Sequence, residues 1–215
     1  MRKDTMRKSL RYILAVGCLA LAMAVLNFLF SLIMRKAGIP LYLDCIGTVV
    51  AALLGGPLPA VLTAVLTGML NGLLDSVSVY YSIVGALIGV AVSAFAKRGY
   101  LRSIRRAWIV WLTAALIGTV LSTILTWFLY AFDYGESVSA PLTKWIISHS
   151  SMPKFLCQFL SDAAINFTDK AIALVMALGI VSLLPPAFRA KTAIYLEREN
   201  AEKQAPRRID WIKWD

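Results

Sequence analysis

Residues 161–185 read SDAAINFTDKAIALVMALGIVSLLP. The second half of this stretch is an apolar run of the kind that crosses a bilayer, whereas the first half carries Asp162, Asn166, Asp169 and Lys170. Ionisable groups are costly in hydrocarbon, so they are usually kept for an aqueous cavity, an internal partner or a bound ligand. The stretch therefore predicts a membrane-spanning helix with a polar outer half. The role of these polar residues depends on what the other segments of the chain place beside them.

The whole chain has the composition of an integral membrane protein. Its 215 residues are 59% hydrophobic and 16% charged, with a mean hydropathy of +0.71, which is outside the usual range of soluble domains. Apolar blocks near the ~20 residues that span a bilayer cover 10–34, 41–54, 57–74, 79–96, 108–132 and 161–184. The sequence therefore predicts an all-α integral membrane protein with six transmembrane helices. Only Gly55, Gly56 and Pro57 separate the second and third blocks, so this pair is expected to be short and tilted or partly re-entrant.

Basic residues are concentrated before the first block, after the fourth block and after the sixth. By the positive-inside rule these regions face the cytoplasm, so six spans place both termini there; Arg35 and Lys36 are the exception. Topology thus accounts for the net charge of +10, and nucleic-acid binding is not expected. The predicted protein is a multi-pass protein of the cell membrane, in contact with lipid. It has a basic cytoplasmic N-terminus (1–9), a membrane domain (10–186) and a charged cytoplasmic tail (187–215).

Polar side chains within the predicted helices gather in the outer half of the membrane. A lone polar residue usually makes an interhelical hydrogen bond, but a shared depth across five or six helices predicts a pocket that opens outward. Aromatic rings there are suited to stacking on a planar ligand, although the aromatic belt explains any single one equally well. The candidate ligand contacts are Asn27, Asp44, Thr67, Asn71, Asp75, Tyr80, Tyr81, Trp127, Asp162, Asn166 and Asp169.

Asp169 is predicted to lie about 12 Å below the outer end of its helix. Lys170 points about 100° away around the helix, so the two residues are not an ideal facing pair. We expect Asp169 to line the cavity floor or to pair across helices, and Lys170 to be satisfied by an acid of another helix. The acidic candidates favour a cationic or donor-rich ligand such as an aminopyrimidine, whereas Arg35 and Lys36 at the rim suit a carboxylate equally well.

Several chemistries have no motif in this chain. It contains no G-x-x-x-x-G-K-[ST] phosphate loop, no H-E-x-x-H and no G-x-S-x-G, so ATP hydrolysis and the corresponding hydrolase reactions are not expected of it. The single histidine, His149, and the cysteines Cys18, Cys45 and Cys157 predict neither a metal centre nor a disulfide framework. We therefore expect a protein that is not an enzyme and that needs no cofactor.

Three segments are informative as an ordered set. Residues 40–73 read PLYLDCIGTVVAALLGGPLPAVLTAVLTGMLNGL, residues 84–99 read VGALIGVAVSAFAKRG, and residues 167–185 read FTDKAIALVMALGIVSLLP. Together they resemble the substrate-binding S components of energy-coupling factor (ECF) transporters, over about residues 10 to 186. The resemblance implies a six-helix bundle that captures a water-soluble vitamin or related micronutrient at its outer face. It also implies docking on a transmembrane T component with two ATP-binding cassette ATPases, whose ATP cycle topples the S component and releases the substrate inside.

The resemblance also implies where the T component docks. Small residues of the first block, at 18, 20, 22 and 24, form a surface that another helix can approach closely. In the family an A-x-x-x-A surface of helix 1 contacts the T component, and Ala20 and Ala24 match that pattern. The N-terminus, MRKDTMRKSL, lacks the Met-His signature of nickel and cobalt members, so a metal ion is not the expected cargo.

Two other functions stay open at this point. Similar membrane modules occur as sensor inputs fused to kinases or phosphatases, and the junction LLPPAFRAKTAIYLEREN would then be a signalling linker. The chain would in that case be the membrane input module of a signalling partner. A structural membrane subunit without a ligand is the third alternative.

Overall fold

The computed structural model describes residues 2–185, without the side chains of residues 2–9 and 102, so the predicted tail lies outside the described residues. The described chain is built from seven α-helices and two short 3-10 helices, Ser76–Val79 and Tyr100–Arg102. The α-helices are α1 (Arg2–Ala37), α2 (Ile46–Gly55), α3 (Pro57–Gly72), α4 (Ser82–Lys97), α5 (Ile104–Leu129), α6 (Ala140–His149) and α7 (Lys154–Leu183).

Four helical segments are long and apolar enough to cross a membrane: Leu10–Ala37, Ser76–Lys97, Ile104–Leu129 and Lys154–Leu183. The remaining apolar helices, α2 and α3, contain 10 and 16 residues. At 1.5 Å per residue they are about 15 and 24 Å long, shorter than the ~30 Å hydrocarbon core. The all-helical fold is therefore confirmed, with four helices that could cross a membrane, whereas six full spans and the position of the termini stay predictions.

The turn between α2 and α3 follows from its sequence. Gly56 joins the two helices with φ +80°, a left-handed conformation that glycine adopts without a Cβ penalty. Pro57 then opens α3, where its fixed φ suits a first helical residue and its missing N–H costs nothing. The Gly56 N–H donates to the carbonyl of Ala52, which closes the end of α2. A tight reversal results, and the two short helices pack against each other.

The α2 helix lies at the centre of the bundle. It contacts α1, α3, α4 and α7, and nine of its ten residues are buried. A helix that is apolar all round is suited to this position. Close approach to α1 is possible because residue 47 is glycine: a Cβ there would collide with the backbone carbonyl of Met23. The short α2 is thus a core element of the protein.

The boundaries of α7 and the packing of α1 differ from the prediction. The α7 helix begins at Lys154, so Asp169 lies near its middle and is deeper than expected. Ala20 and Ala24 are 1% and 0% exposed, because this face of α1 packs inside the protein against α2 and α3. They are not available to a separate subunit in this structure. On the outward face of the same helix, Cys18 and Ala22 are exposed.

Candidate functional site

An open cleft of about 800 Å³ lies where α1, α3 and α5 end. Its volume is in the range of small-molecule sites, about 300 to 1,000 Å³. The cleft is lined by the segment 72–77 and by the side chains of Arg35, Asp75, Tyr130 and Glu136. Two acids and one base therefore surround the opening, together with one aromatic ring.

The rim of this cleft is held by a small hydrogen-bond network. Asp75 accepts the N–H of Val77 at 3.2 Å and the hydroxyl of Ser78 at 3.1 Å, and thereby caps the 3-10 helix Ser76–Val79. Arg35 donates from Nη2 to the Ser78 hydroxyl at 3.2 Å. The predicted candidate Asp75 therefore shapes the rim.

Tyr130 is the aromatic residue of the cleft lining. Burial, followed by the nearby carboxylates of Asp75 and Glu136, raises the pKa of its phenol above the usual value, while Arg35 opposes the shift. The phenol is therefore neutral at physiological pH and able to donate a hydrogen bond. Neither Tyr130 nor Glu136 was a predicted site residue. Tyr130 lies at the outer end of the fifth apolar block, 108–132, and Glu136 follows that block.

Asp162 is buried within the protein and is 1% exposed. Its Oδ2 accepts hydrogen bonds from Thr123 Oγ1 at 2.8 Å and from Gln158 Nε2 at 2.9 Å. Its Oδ1 has no hydrogen-bond partner among the residues that the structure describes. A buried carboxylate oxygen without a donor is exceptional in native proteins, so this atom requires an explanation.

Gln158, which donates to Asp162, is itself held by α6 and by Ser139, the residue before α6. Gln158 Nε2 also donates to Ser139 Oγ at 2.9 Å, and its Oε1 accepts the hydroxyl of Thr143 at 3.1 Å. We call Asp162, Thr123, Gln158, Ser139 and Thr143 the Asp162 cluster. Gln158 lies one helical turn before Asp162, so the i, i+4 spacing that selected Asn166 also points to Gln158.

Tyr42 and Tyr81 are half-buried tyrosines outside the Asp162 cluster. Burial, and then the carboxylate of Asp162, raises the pKa of the Tyr42 phenol well above its usual value. The Lys170 ammonium lies 5.8 Å from the centroid of the Tyr42 ring, so this ring lies near the Asp169–Lys170 pair. The hydroxyls of Tyr81 and Thr126 are 2.7 Å apart. Because Thr126 lies three residues after Thr123 on α5, Tyr81 approaches the Asp162 cluster.

Two predicted aromatic contacts lie elsewhere. Tyr80 is 59% exposed, and Trp127 packs edge-on against Phe155 with ring centroids 5.2 Å apart. Among residues 10–185, the hydrogen bonds of the Asp162 cluster include neither ring. Their positions fit the aromatic belt that was the alternative explanation for each.

Asp169 is fully satisfied by protein groups. Its Oδ1 accepts the backbone N–H groups of Tyr42 at 3.0 Å and Leu43 at 2.7 Å, and its Oδ2 pairs with Lys170 Nζ at 2.6 Å. The expectation that Lys170 is satisfied by an acid of another helix is therefore wrong. The long lysine side chain folds back on its neighbour despite the angle between them. Asp169 anchors the loop 38–45 to α7, which favours its structural interpretation.

Asp44 and Cys45 complete the surroundings of this ion pair. They and Asp169 offer ligand atoms within 4.8 Å of one another. The Lys170 ammonium, however, already takes the place of a cation beside Asp169, so these donors are not arranged for a metal ion. Burial raises the pKa of Asp44, and the Lys170 charge partly opposes that shift.

The candidates on α1 and α3 fall into two groups. Asn27 donates to the hydroxyls of Thr48 at 3.1 Å and Thr67 at 3.0 Å, and it accepts the N–H of Gly47. Asn27 and Thr67 therefore join α1, α2 and α3. In contrast, Asn71 is 4% exposed and its Oδ1 has no partner within the described part of the chain.

Asn166 is also an internal contact, since its Nδ2 donates to the Asp162 backbone carbonyl at 2.9 Å. Of the predicted residues, Asp162 and Asn71 are thus the two whose buried oxygens lack a donor among residues 10–185.

No protein-family model matches the chain, and neither the curated proteins nor the solved structures compared with it include a significant match. Function has to be inferred from the residues themselves.

Proposed function

We propose that this chain is the solute-capture subunit of an ECF-type importer. It takes a water-soluble vitamin or related micronutrient from the outer side of the cell membrane, and it releases the compound inside after docking on a T component that carries two ATPases. The chain itself is not the ATPase, because it lacks the phosphate-binding loop. Support comes from the three segments that resemble S components and from the distribution of unsatisfied polar atoms.

The observation that carries this proposal is the unpartnered Oδ1 of buried Asp162. A buried acceptor without a donor costs about 1 to 3 kcal/mol, and more when it is charged. Polar residues that serve packing do not bear this cost: Asn27 uses both of its side-chain polar atoms. A site that is completed by a ligand explains why Asp162 differs from Asn27.

The Asp162 cluster does not line the open cleft, but the two are found toward the same end of the bundle. Asp162 is in the first third of α7, and the open cleft is at the ends of α1, α3 and α5. Helices that alternate in direction bring these ends to one face of a bundle. On the topology predicted from the basic residues, this face is outside.

Docking is proposed for the outward face of α1, at Cys18 and Ala22. These small residues are exposed, whereas Ala20 and Ala24 are buried. Small residues at a lipid-facing surface allow another helix to approach closely.

The test is mass spectrometry of small molecules that stay with the detergent-solubilised protein through purification. We expect a vitamin-sized compound to be enriched with the wild type and depleted with Asp162→Asn. Asp133→Asn is the matched control, because Asp133 is a partly exposed acid that pairs with Lys154. A wild-type protein that carries no such compound, and binds none of the water-soluble vitamins when they are added, would refute solute capture.

A further inference from the structure

We propose that the captured compound carries a positively charged nitrogen, as a protonated amine or a ring cation, and that Asp162 is its counter-ion. This inference rests on the proposed function and narrows it to one class of ligand. It also decides between the two ligand types, cationic and carboxylate, that the sequence leaves open.

The first argument is the contrast between two buried acids of α7. Asp169 has a cation beside it and receives two backbone N–H groups. Asp162 receives only neutral donors, on one oxygen. The ion pairs within the described residues are Lys154 with Asp133 and Lys170 with Asp169, and neither involves Asp162. A buried carboxylate without a cation is strongly unfavourable, so Asp162 is the acid that an external cation would neutralise.

The second argument is that Asp162 is held in a fixed orientation. Thr123 reaches it from α5, and Gln158 is itself held by Ser139 and Thr143. Two donors hold Oδ2 in place, and Oδ1 is left without a donor among the described residues. A charge-assisted N–H donor at about 2.8 Å would complete the carboxylate. Such preorganisation is typical of a binding group.

The third argument is the chemistry of the neighbours. The Tyr81 hydroxyl lies 2.7 Å from the hydroxyl of Thr126, which is three residues after Thr123 on α5. Aromatic faces attract cations and stack on flat rings. An anionic group would instead meet the Asp162 charge, and the buried Lys170 ammonium on the same helix is already paired with Asp169.

Arg35 does not favour a carboxylate ligand at this depth. It is exposed, lies at the rim of the cleft and donates to Ser78. Asp75 and Glu136 line the same cleft, so the opening is not biased toward anions.

The experiment measures thermal stability and equilibrium binding of the full chain in detergent at neutral pH. The probes are thiamine and pyridoxamine as protonated amines or ring cations, riboflavin and nicotinamide as neutral compounds, and pantothenate and biotin as anions. The variants are Asp162→Asn and the control Asp133→Asn. We expect one of the cationic probes to bind the wild type and Asp133→Asn equally, and to bind Asp162→Asn at least about tenfold more weakly.

The melting temperature of each variant without ligand is a second readout, which distinguishes a loss of binding from misfolding. Since asparagine is isosteric with aspartate and the substitution removes an unpaired buried charge, ligand-free Asp162→Asn should melt at the same temperature as the wild type or higher. Thr123→Val removes a donor to Oδ2 and should give an intermediate loss of affinity for the cationic probe.

The outcomes separate this inference from the proposed function. Binding of a neutral or anionic probe alone would keep solute capture and overturn the assignment of a cationic ligand. Binding of a cation with equal affinity to Asp162→Asn would overturn the role of Asp162. Binding of none of the six probes would overturn the inference for this ligand class, and the compound that copurifies with the wild type would then decide the proposed function independently.

Discussion

Asp162 and Asp169 are seven residues apart on α7, and they show how differently two buried carboxylates are stabilised. Asp169 is neutralised within the protein by Lys170, whereas one oxygen of Asp162 has no partner in the part of the chain that the structure describes. Burial alone does not distinguish the two residues. Their hydrogen-bond partners do: Asp169 anchors the loop 38–45, and the unpartnered oxygen of Asp162 is the basis of the proposed ligand binding.

The Asp169–Lys170 pair yields a prediction at this scale. Asp169→Asn should lower the stability of the ligand-free protein by about 3 to 5 kcal/mol, because the Lys170 charge is then left buried without a partner. Lys170→Met alone should also destabilise, since it leaves Asp169 without its cation. Thermal unfolding in detergent would measure both changes.

The double variant Asp169→Asn, Lys170→Met is the control for this pair. It removes both charges together, so its loss of stability should be smaller than the sum of the two single losses. Additive losses would show that the residues do not stabilise each other. Ligand affinity measured on the folded single variants should change less than in Asp162→Asn.

Among the helices, α1 has two faces made of small residues with opposite surroundings. Ala20 and Ala24 are buried against α2 and α3, and Cys18 and Ala22 are exposed. The sequence contains both pairs at i+4 spacing, so spacing alone cannot say which pair faces inward. The position of α2, whose Gly47 contacts Met23 on α1, decides this.

This arrangement predicts opposite effects for two matched substitutions. Ala22→Leu should leave the stability of the solitary chain within about 0.5 kcal/mol and should abolish copurification with the T component. Ala20→Leu should destabilise the chain by about 1 to 3 kcal/mol through overpacking. Thermal unfolding and pull-down with a coexpressed T component would measure the two effects. Normal copurification of Ala22→Leu would refute docking through this face.

At the scale of the whole molecule, the predicted topology places the cleft outside and the end of α4 inside. In a background with all native cysteines replaced by alanine, Glu136→Cys should react with a membrane-impermeant maleimide in intact cells. Lys97→Cys should react only after permeabilisation, because it lies at the end of α4 in the basic region. Labelling of both positions from outside would contradict the predicted topology.

Hydrophobic periodicity was sufficient to predict the all-helical class. It also predicted the short α2–α3 pair, because the Gly-Gly-Pro break is visible in the sequence. It missed α6, which lies between the fifth and sixth predicted blocks. It also began α7 too late, because residues 154–160 are helical although they precede the predicted span. The polar outer half was recognisable from composition and depth. Which polar atoms are paired could not be predicted from the sequence. The hydroxyls that contact Asn27 and Asp162 belong to residues more than 20 positions away in the chain, and packing alone brings them together.

Asp169 holds the loop 38–45 through the main-chain N–H groups of Tyr42 and Leu43. Every residue except proline supplies such a group, so this attachment does not depend on which side chains the loop carries. Leu43 adopts a positive φ of 43°, a conformation that glycine or asparagine would accept more readily than leucine. The side chain at position 42, in contrast, plays no part in this attachment. During evolution the residue at position 42 can therefore change while the loop keeps its place.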